Sequence, residues 1–121
     1  MLKVLLVDDE PFILQGLKVL IDWNAEGYEV VGAVRTGQEA IDYLKENPVD
    51  LVMTDIKMPV MDGFEATRRI RTLSKTIPII ALTAFAFERE KEIAKQCEFT
   101  DYVVKPIDIK ELKKLIVKVL A

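Results

Sequence analysis

The sequence predicts an α/β protein, a doubly wound parallel β-sheet with helices on both faces. Two observations carry this. Short apolar runs alternate with segments of helical periodicity five times along the chain, and several of those runs are almost continuously apolar. A strand buried on both faces of a parallel sheet reads that way, whereas a strand with one wet face alternates. At 121 residues the chain has the size of one core, so residues 1–121 are expected to form a single domain with no effector domain attached.

The elements follow in order. Residues 3–7 of "MLKVLLVDDE" form a first strand that ends in acids. Pro11 suits the first turn of a helix, where its missing N–H costs nothing. Ile13, Leu14, Leu17, Leu20 and Ile21 make the apolar face of that helix. Residues 29–34 are the second strand. Thr36 and Glu39 have capping-box spacing for the second helix, and Asn47-Pro48 breaks the chain before the third strand at 51–54. Asp62 and Glu65 repeat the capping spacing for the third helix, and Ile77-Pro78 marks the break at the fourth strand, 77–82. A fourth helical segment, 87–96, contains "EREKE" and has only Phe87, Ile93 and Ala94 as apolar anchors, which predicts weak docking. The fifth strand is 102–104. Asp108 and Glu111 open the last helix, with Ile109, Leu112, Leu115, Ile116 and Val119 on its apolar face. Parallel neighbours so connected require right-handed crossovers.

Composition narrows the function. The chain has no histidine, which excludes imidazole catalysis and imidazole metal ligation by its own residues. A net charge of -3, with Lys and Arg interspersed among Glu, gives no basis for direct nucleic-acid binding. Cys97 stands alone, so no internal disulfide forms and no thiolate metal site is expected. No apolar run approaches the ~18 residues of a membrane span, and the N-terminus lacks the form of a signal peptide, so a cytoplasmic setting is expected.

In a doubly wound sheet, ligands bind outside the carboxyl ends of the strands. Four strands deliver polar groups to that edge: Asp8-Asp9-Glu10, Asp55, Thr83 and Lys105-Pro106. None belongs to the apolar face of a helix. Carboxylates gathered there resist joint ionisation, and a cation must offset them. Lys105 supplies one charge. With oxygen donors only, the hard ion Mg²⁺ is the natural candidate for the rest. A carboxylate beside a metal, an ammonium and a hydroxyl can attack phosphorus and carry a phosphoryl group.

These residues carry a family likeness. "VLLVDDEP", "DLVMTDIKMPVMDG", "PIIALTA" and "DYVVKP", in this order, resemble the receiver domain of bacterial two-component response regulators, the chemotaxis receiver among them. The resemblance covers the full chain and implies a flavodoxin-like fold with strand order 2-1-3-4-5 and five helices. It implies that Asp55 accepts a phosphoryl group from a phosphohistidine on a histidine kinase or histidine phosphotransfer protein. Asp9 and Asp8 would hold Mg²⁺ together with Asp55 and the main-chain carbonyl of Lys57. Thr83, the amide of Ala84 and the ammonium of Lys105 would bind the phosphoryl oxygens, and the Lys105–Pro106 peptide would be cis. Thr83 and Tyr102 would form a switch that alters the surface of the 87–96 helix, the fifth strand and the last helix. Such a protein catalyses only its own phosphorylation and dephosphorylation and is not a metabolic enzyme.

Two features depart from the pattern. The family usually carries a small Gly-Ala type turn before "DY", whereas this chain reads Cys97-Glu98-Phe99-Thr100-Asp101, which predicts a displaced loop. Phe85 stands two residues past Thr83, where its bulk would screen the phosphoryl group from hydrolytic water. The first half of the chain looks like receivers that precede helix-turn-helix effectors, the second like receivers fused to hybrid kinases. A chimeric or engineered chain and natural recombination account for this equally. Lys110, Glu111, Lys113, Lys114 and Lys118 form a solvated face or, paired with "EREKE", the seam of a phosphorylation-dependent homodimer. Two other classes fit less well. Haloacid-dehalogenase-like phosphatases place an Asp-x-Asp nucleophile on the first strand, where this chain has adjacent Asp8-Asp9. A flavin or dinucleotide carrier needs a Gly-rich loop where this chain has acids.

Overall fold

The computed structural model describes residues 1–55, 63–83 and 98–120. Along the chain run β1 (Leu2–Val7), α1 (Pro11–Leu20), β2 (Tyr28–Val34), α2 (Gly37–Glu46), β3 (Leu51–Asp55), α3 (Gly63–Leu73), β4 (Ile79–Thr83), β5 (Asp101–Val104) and a last helix, α4 (Ile109–Leu120). All paired strands are parallel, in the order β2-β1-β3-β4-β5. Fold class and strand order are those expected. Of the five expected helices, the 87–96 segment lies outside the described residues.

Side-chain alternation sorts the apolar residues into two layers. Leu6, Met53, Leu82 and Val103 pack on one face with Leu14 and Leu17 of α1 and Leu112 and Ile116 of α4. Leu5, Val7, Val52 and Ile79 pack on the other with Ala40 and Ile41 of α2 and Ile70 of α3. β1 and β3 lie inside the sheet, and Leu5, Leu6, Val52 and Met53 are fully buried. Each such side chain contributes about 1.5–3 kcal/mol of burial, which is why these strands read as unbroken apolar runs.

Local chemistry sets the boundaries. Pro11 is the first residue of α1, as its position predicted. The Thr36 hydroxyl accepts from the Glu39 amide at 3.1 Å, and Asp108 accepts from the Lys110 and Glu111 amides at 2.9 and 3.3 Å, so both caps form. β4 begins at Ile79 instead of Ile77, because the proline before it has no N–H to give a ladder. β3 and β4 each run one residue further than expected and include Asp55 and Thr83. Leu20 is a correction: it is 65% exposed, although periodicity assigned it to the buried face. The helix ends there, and Ile21 turns into an extended conformation and reaches the core by leaving the helix.

β1 and β2 lose register between Val4 and Leu5, where Val4 faces Val30 and Leu5 faces Gly32. A Cβ on Gly32 would stand 3.0 Å from Leu5 Cδ1, so a larger residue at the bulge would require the Leu5 side chain to shift by a few tenths of an ångström. The Tyr43 hydroxyl closes the site by donating to the Val31 carbonyl at 3.2 Å.

On α3 the fully buried Thr67 hydroxyl makes no hydrogen bond among the described residues. An unpaired buried donor is a standing cost, and an isosteric apolar group removes it. Thr67→Val should therefore raise stability by about 1 kcal/mol. The check is a higher urea midpoint at unchanged slope.

Candidate metal and phosphoryl site

Alternation also decides which strand ends meet. Asp8, Asp55 and Lys105 lie two residues past Leu6, Met53 and Val103, three members of one buried layer. Their side chains continue that row, Asp55 at the carboxyl end of β3 and Asp8 and Lys105 just past those of β1 and β5. The Lys105 ammonium donates to Asp55 Oδ1 at 3.1 Å and approaches Asp8 Oδ2 at 3.5 Å. Carboxylate oxygens of Asp8, Asp9 and Asp55 lie within 4.8 Å of one another. Asp8 is fully buried, Asp55 is nearly so, and Asp9 is half-buried. The Glu10 amide donates to Asp8 Oδ1 at 3.0 Å and holds that carboxylate in place.

The electrostatics are under tension. Burial pushes the Asp8 carboxyl above its ordinary range, and the neighbouring Asp55 charge pushes the same way. The Glu10 amide and Lys105 oppose them without reversing the shift. Burial works against the Lys105 ammonium as well, but the hydrogen bond to Asp55 and the charges of Asp8 and Asp55 outweigh it and raise its pKa. Asp8 and Asp55 share one ammonium and Asp9 stands beside them, so a negative excess is left over when all are ionised. Every side-chain donor of this cluster is a carboxylate oxygen, which suits a hard divalent ion such as Mg²⁺.

The sign of the Asp8 shift sets a prediction. A carboxyl whose pKa is raised on folding binds its proton more tightly in the folded state. Its contribution is fully present below the unfolded pKa and is lost as pH rises through the folded value. Asp8→Asn should thus stabilise the metal-free protein at neutral pH, because the amide carries no charge that burial must penalise. The advantage should vanish below pH ~3.9, the ordinary aspartate value. Urea denaturation in EDTA across that range checks it.

The other expected residues fall as follows. Thr83 ends β4, and its carbonyl accepts from the Lys105 amide at 2.7 Å. The register pairs Ala81 with Tyr102 and Thr83 with Val104, so Tyr102 and Thr83 are diagonal neighbours on the α2/α3 face of the sheet. Tyr102 is half-buried there. The Lys105–Pro106 peptide is cis. Lys57, Ala84, Phe85 and the Asp62 cap lie outside the described residues. No motif pointed to Arg35, whose guanidinium reaches the Asp9 carbonyl at 3.4 Å, or to the Glu10 amide, because main-chain contacts leave no residue signature.

No helix among the described residues is long and apolar enough to cross a membrane. The family model for the response regulator receiver domain matches residues 4–117. The chain is 33% identical over its whole length to the uncharacterized transcriptional regulatory protein YesN of Bacillus subtilis, and it spans 33% of that protein. It is 38% identical to the sensor protein GacS of Pseudomonas syringae, over 96% of this chain and 13% of GacS. It thus spans a third or less of these curated relatives. Among solved structures, the chemotaxis protein CheY4 of Vibrio cholerae is similar at a TM-score of 0.89 and 35% identity, covering 99% of both chains. The receiver domain of the sensor histidine kinase PA1611 of Pseudomonas aeruginosa, with a magnesium ion coordinated in its active-site cleft, gives 0.86 at 31% identity, covering 98% of this chain and 97% of that one. With the family match running through nearly all of its length, the chain belongs to the response regulator receiver domains of two-component signalling.

Proposed function

We propose that the chain is the phosphoacceptor switch of a two-component phosphorelay and that Asp55 takes the phosphoryl group. The observation that carries this reading is the Lys105 ammonium held between Asp55 and Asp8 with Asp9 alongside. A structural ion pair needs one carboxylate. Two on one ammonium with a third beside them leave negative charge that a further cation would offset.

A partner histidine kinase or histidine phosphotransfer protein would present the phosphoimidazole, since this chain has no histidine of its own. An Asp55 oxygen attacks phosphorus in line and forms the O–P bond. The N–P bond breaks, and the imidazole leaves with the electron pair and takes a proton from solvent. Asp8, Asp9, Asp55 and the Lys57 carbonyl would hold Mg²⁺, which would supply charge neutralisation on the phosphoryl oxygens. Lys105 pairs with a second oxygen, and the Thr83 hydroxyl and Ala84 amide receive another. Drawing Thr83 toward the phosphoryl group frees space for its diagonal neighbour Tyr102 to change rotamer. The surface made by the 87–96 segment, β5 and α4 then changes its binding preference. The reading includes a phosphorylation-dependent homodimer through that surface, a cytoplasmic location and one receiver domain over residues 1–121.

The test is incubation with Mg²⁺ and acetyl phosphate or phosphoramidate, read by intact mass. One labile phosphoryl adduct, absent in EDTA and mapped to Asp55 by reductive trapping, is the expected result. Sustained phosphate release over many turnovers without an adduct would point to a phosphatase instead, and a yellow protein to a flavin carrier.

A further inference from the structure

We propose that Arg71 and Thr100 are positioning residues for Lys105, fixing the register of β5 and hence the reach of the ammonium to Asp55. This inference rests on the role given above to Lys105. β5 has four residues and lies at the edge of the sheet, with Lys105 following at once. To reach Asp55 on β3 and Asp8 beyond β1, the ammonium must pass the end of β4. A strand so short, paired on one side, carries a demanding geometry with little ladder to hold it.

Two anchors stand upstream. Thr100 brackets Ile79: its amide donates to the Ile79 carbonyl at 2.9 Å, and its hydroxyl accepts from the Ile79 amide at 2.9 Å. Arg71 of α3 is 8% exposed and spends its N–H groups on main-chain carbonyls. Its Nε and Nη2 donate to Glu98 at 3.0 and 2.7 Å, and its Nη1 donates to Ile77 at 2.7 Å. One rigid guanidinium therefore spans the entry to β5 and the entry to β4. Glu98 takes the left-handed conformation, φ 64°, that the small turn usual in this family would accept more readily, and the Arg71 bonds hold it there. Phe99 adds an edge contact to the Phe64 ring of α3, 5.8 Å between centroids. Downstream, the Lys105 amide bond to the Thr83 carbonyl closes the ladder. A one-residue slip would move each β5 side chain to the opposite face and ~3.3 Å along the strand. That would break the 3.1 Å contact with Asp55. Lysine could not replace Arg71, because a single ammonium does not span two carbonyls in a planar fork.

The experiment uses the full chain with Arg71→Gln or Thr100→Val, each alone and combined with Lys105→Ala. Phosphorylation by phosphoramidate with Mg²⁺ is timed for every variant that retains its circular dichroism. Arg71→Gln and Thr100→Val should each slow the parent roughly tenfold, as when only about a tenth of the molecules keep the register that lets Lys105 reach Asp55. In the Lys105→Ala background the added loss should be under about twofold, since the positioned group is gone. Equal losses in both backgrounds, or folded variants reacting at the parent rate, would overturn the proposal. If Arg71→Gln does not fold, Thr100→Val decides, because Thr100 is exposed and loses only its hydroxyl. Backbone NMR contacts between Thr83 and Val104 read the register without any phosphorylation. They should shift in the variants, and unchanged contacts overturn the proposal. A parent that takes up no phosphoryl group overturns only the proposed function.

Discussion

An Asp55→Asn chain should take up no phosphoryl group under conditions that modify the parent fully. The carboxamide has no anionic oxygen to attack phosphorus, and its nitrogen lone pair is delocalised into the carbonyl. Asp8 and Asp9 remain in the same cluster and could in principle attack. Asp8 is fully buried and its Oδ1 accepts from the Glu10 amide, so it is poorly placed to attack. The same substitution removes one of the charges that raise the Asp8 pKa, which should move down, readable by carboxyl NMR titration. Intact mass decides the main point: an adduct of parental yield in Asp55→Asn would move the acceptor to another acid and end the assignment.

Lys105→Ala should slow phosphorylation of Asp55 about a hundredfold, the usual loss when one fixed group opposing developing charge is removed. It should also destabilise the metal-free fold. The carboxylates of Asp8 and Asp55 would lose the cation they share while staying buried, at a cost of about 2–4 kcal/mol. Because Lys105 lowers the Asp8 pKa both through space and by hydrogen bond, its removal raises that pKa further. The instability should accordingly deepen as pH rises and Asp8 is forced to ionise. Mg²⁺ binding to the folded state restores stability by mass action, about 2.7 kcal/mol at one hundred times its dissociation constant. Urea midpoints with EDTA and with Mg²⁺, beside a phosphoramidate time course, test both halves. A variant as fast as the parent would leave Lys105 a structural residue only.

Much of this was legible in the residues because it depends on period and punctuation. Continuous apolar runs such as Leu51 to Met53 announce strands buried on both faces, and the acids that end them are conspicuous because nothing in a core calls for them. Leu20 was misread because periodicity cannot see where a helix stops when no glycine or proline marks the end. Arg71 was passed over for a related reason. On a helical wheel it is one more cation, and its burial depends on carbonyls of Ile77 and Glu98, which carry no side-chain signature. In the loop before β5, where the family's small turn is lacking, Glu98 adopts the left-handed conformation, a choice that local propensity disfavours and tertiary hydrogen bonds enforce.

Leu6, Met53 and Val103 each stand one pleat below a charged group of the rim. These three carry no charge and touch no ligand, yet interiors this dense transmit a change of volume as movement. Met53→Leu or Val103→Ala should shift the support beneath Asp55 or Lys105. Variants that tune how long the phosphoryl group survives should therefore turn up among apolar residues that a search limited to polar chemistry would discard.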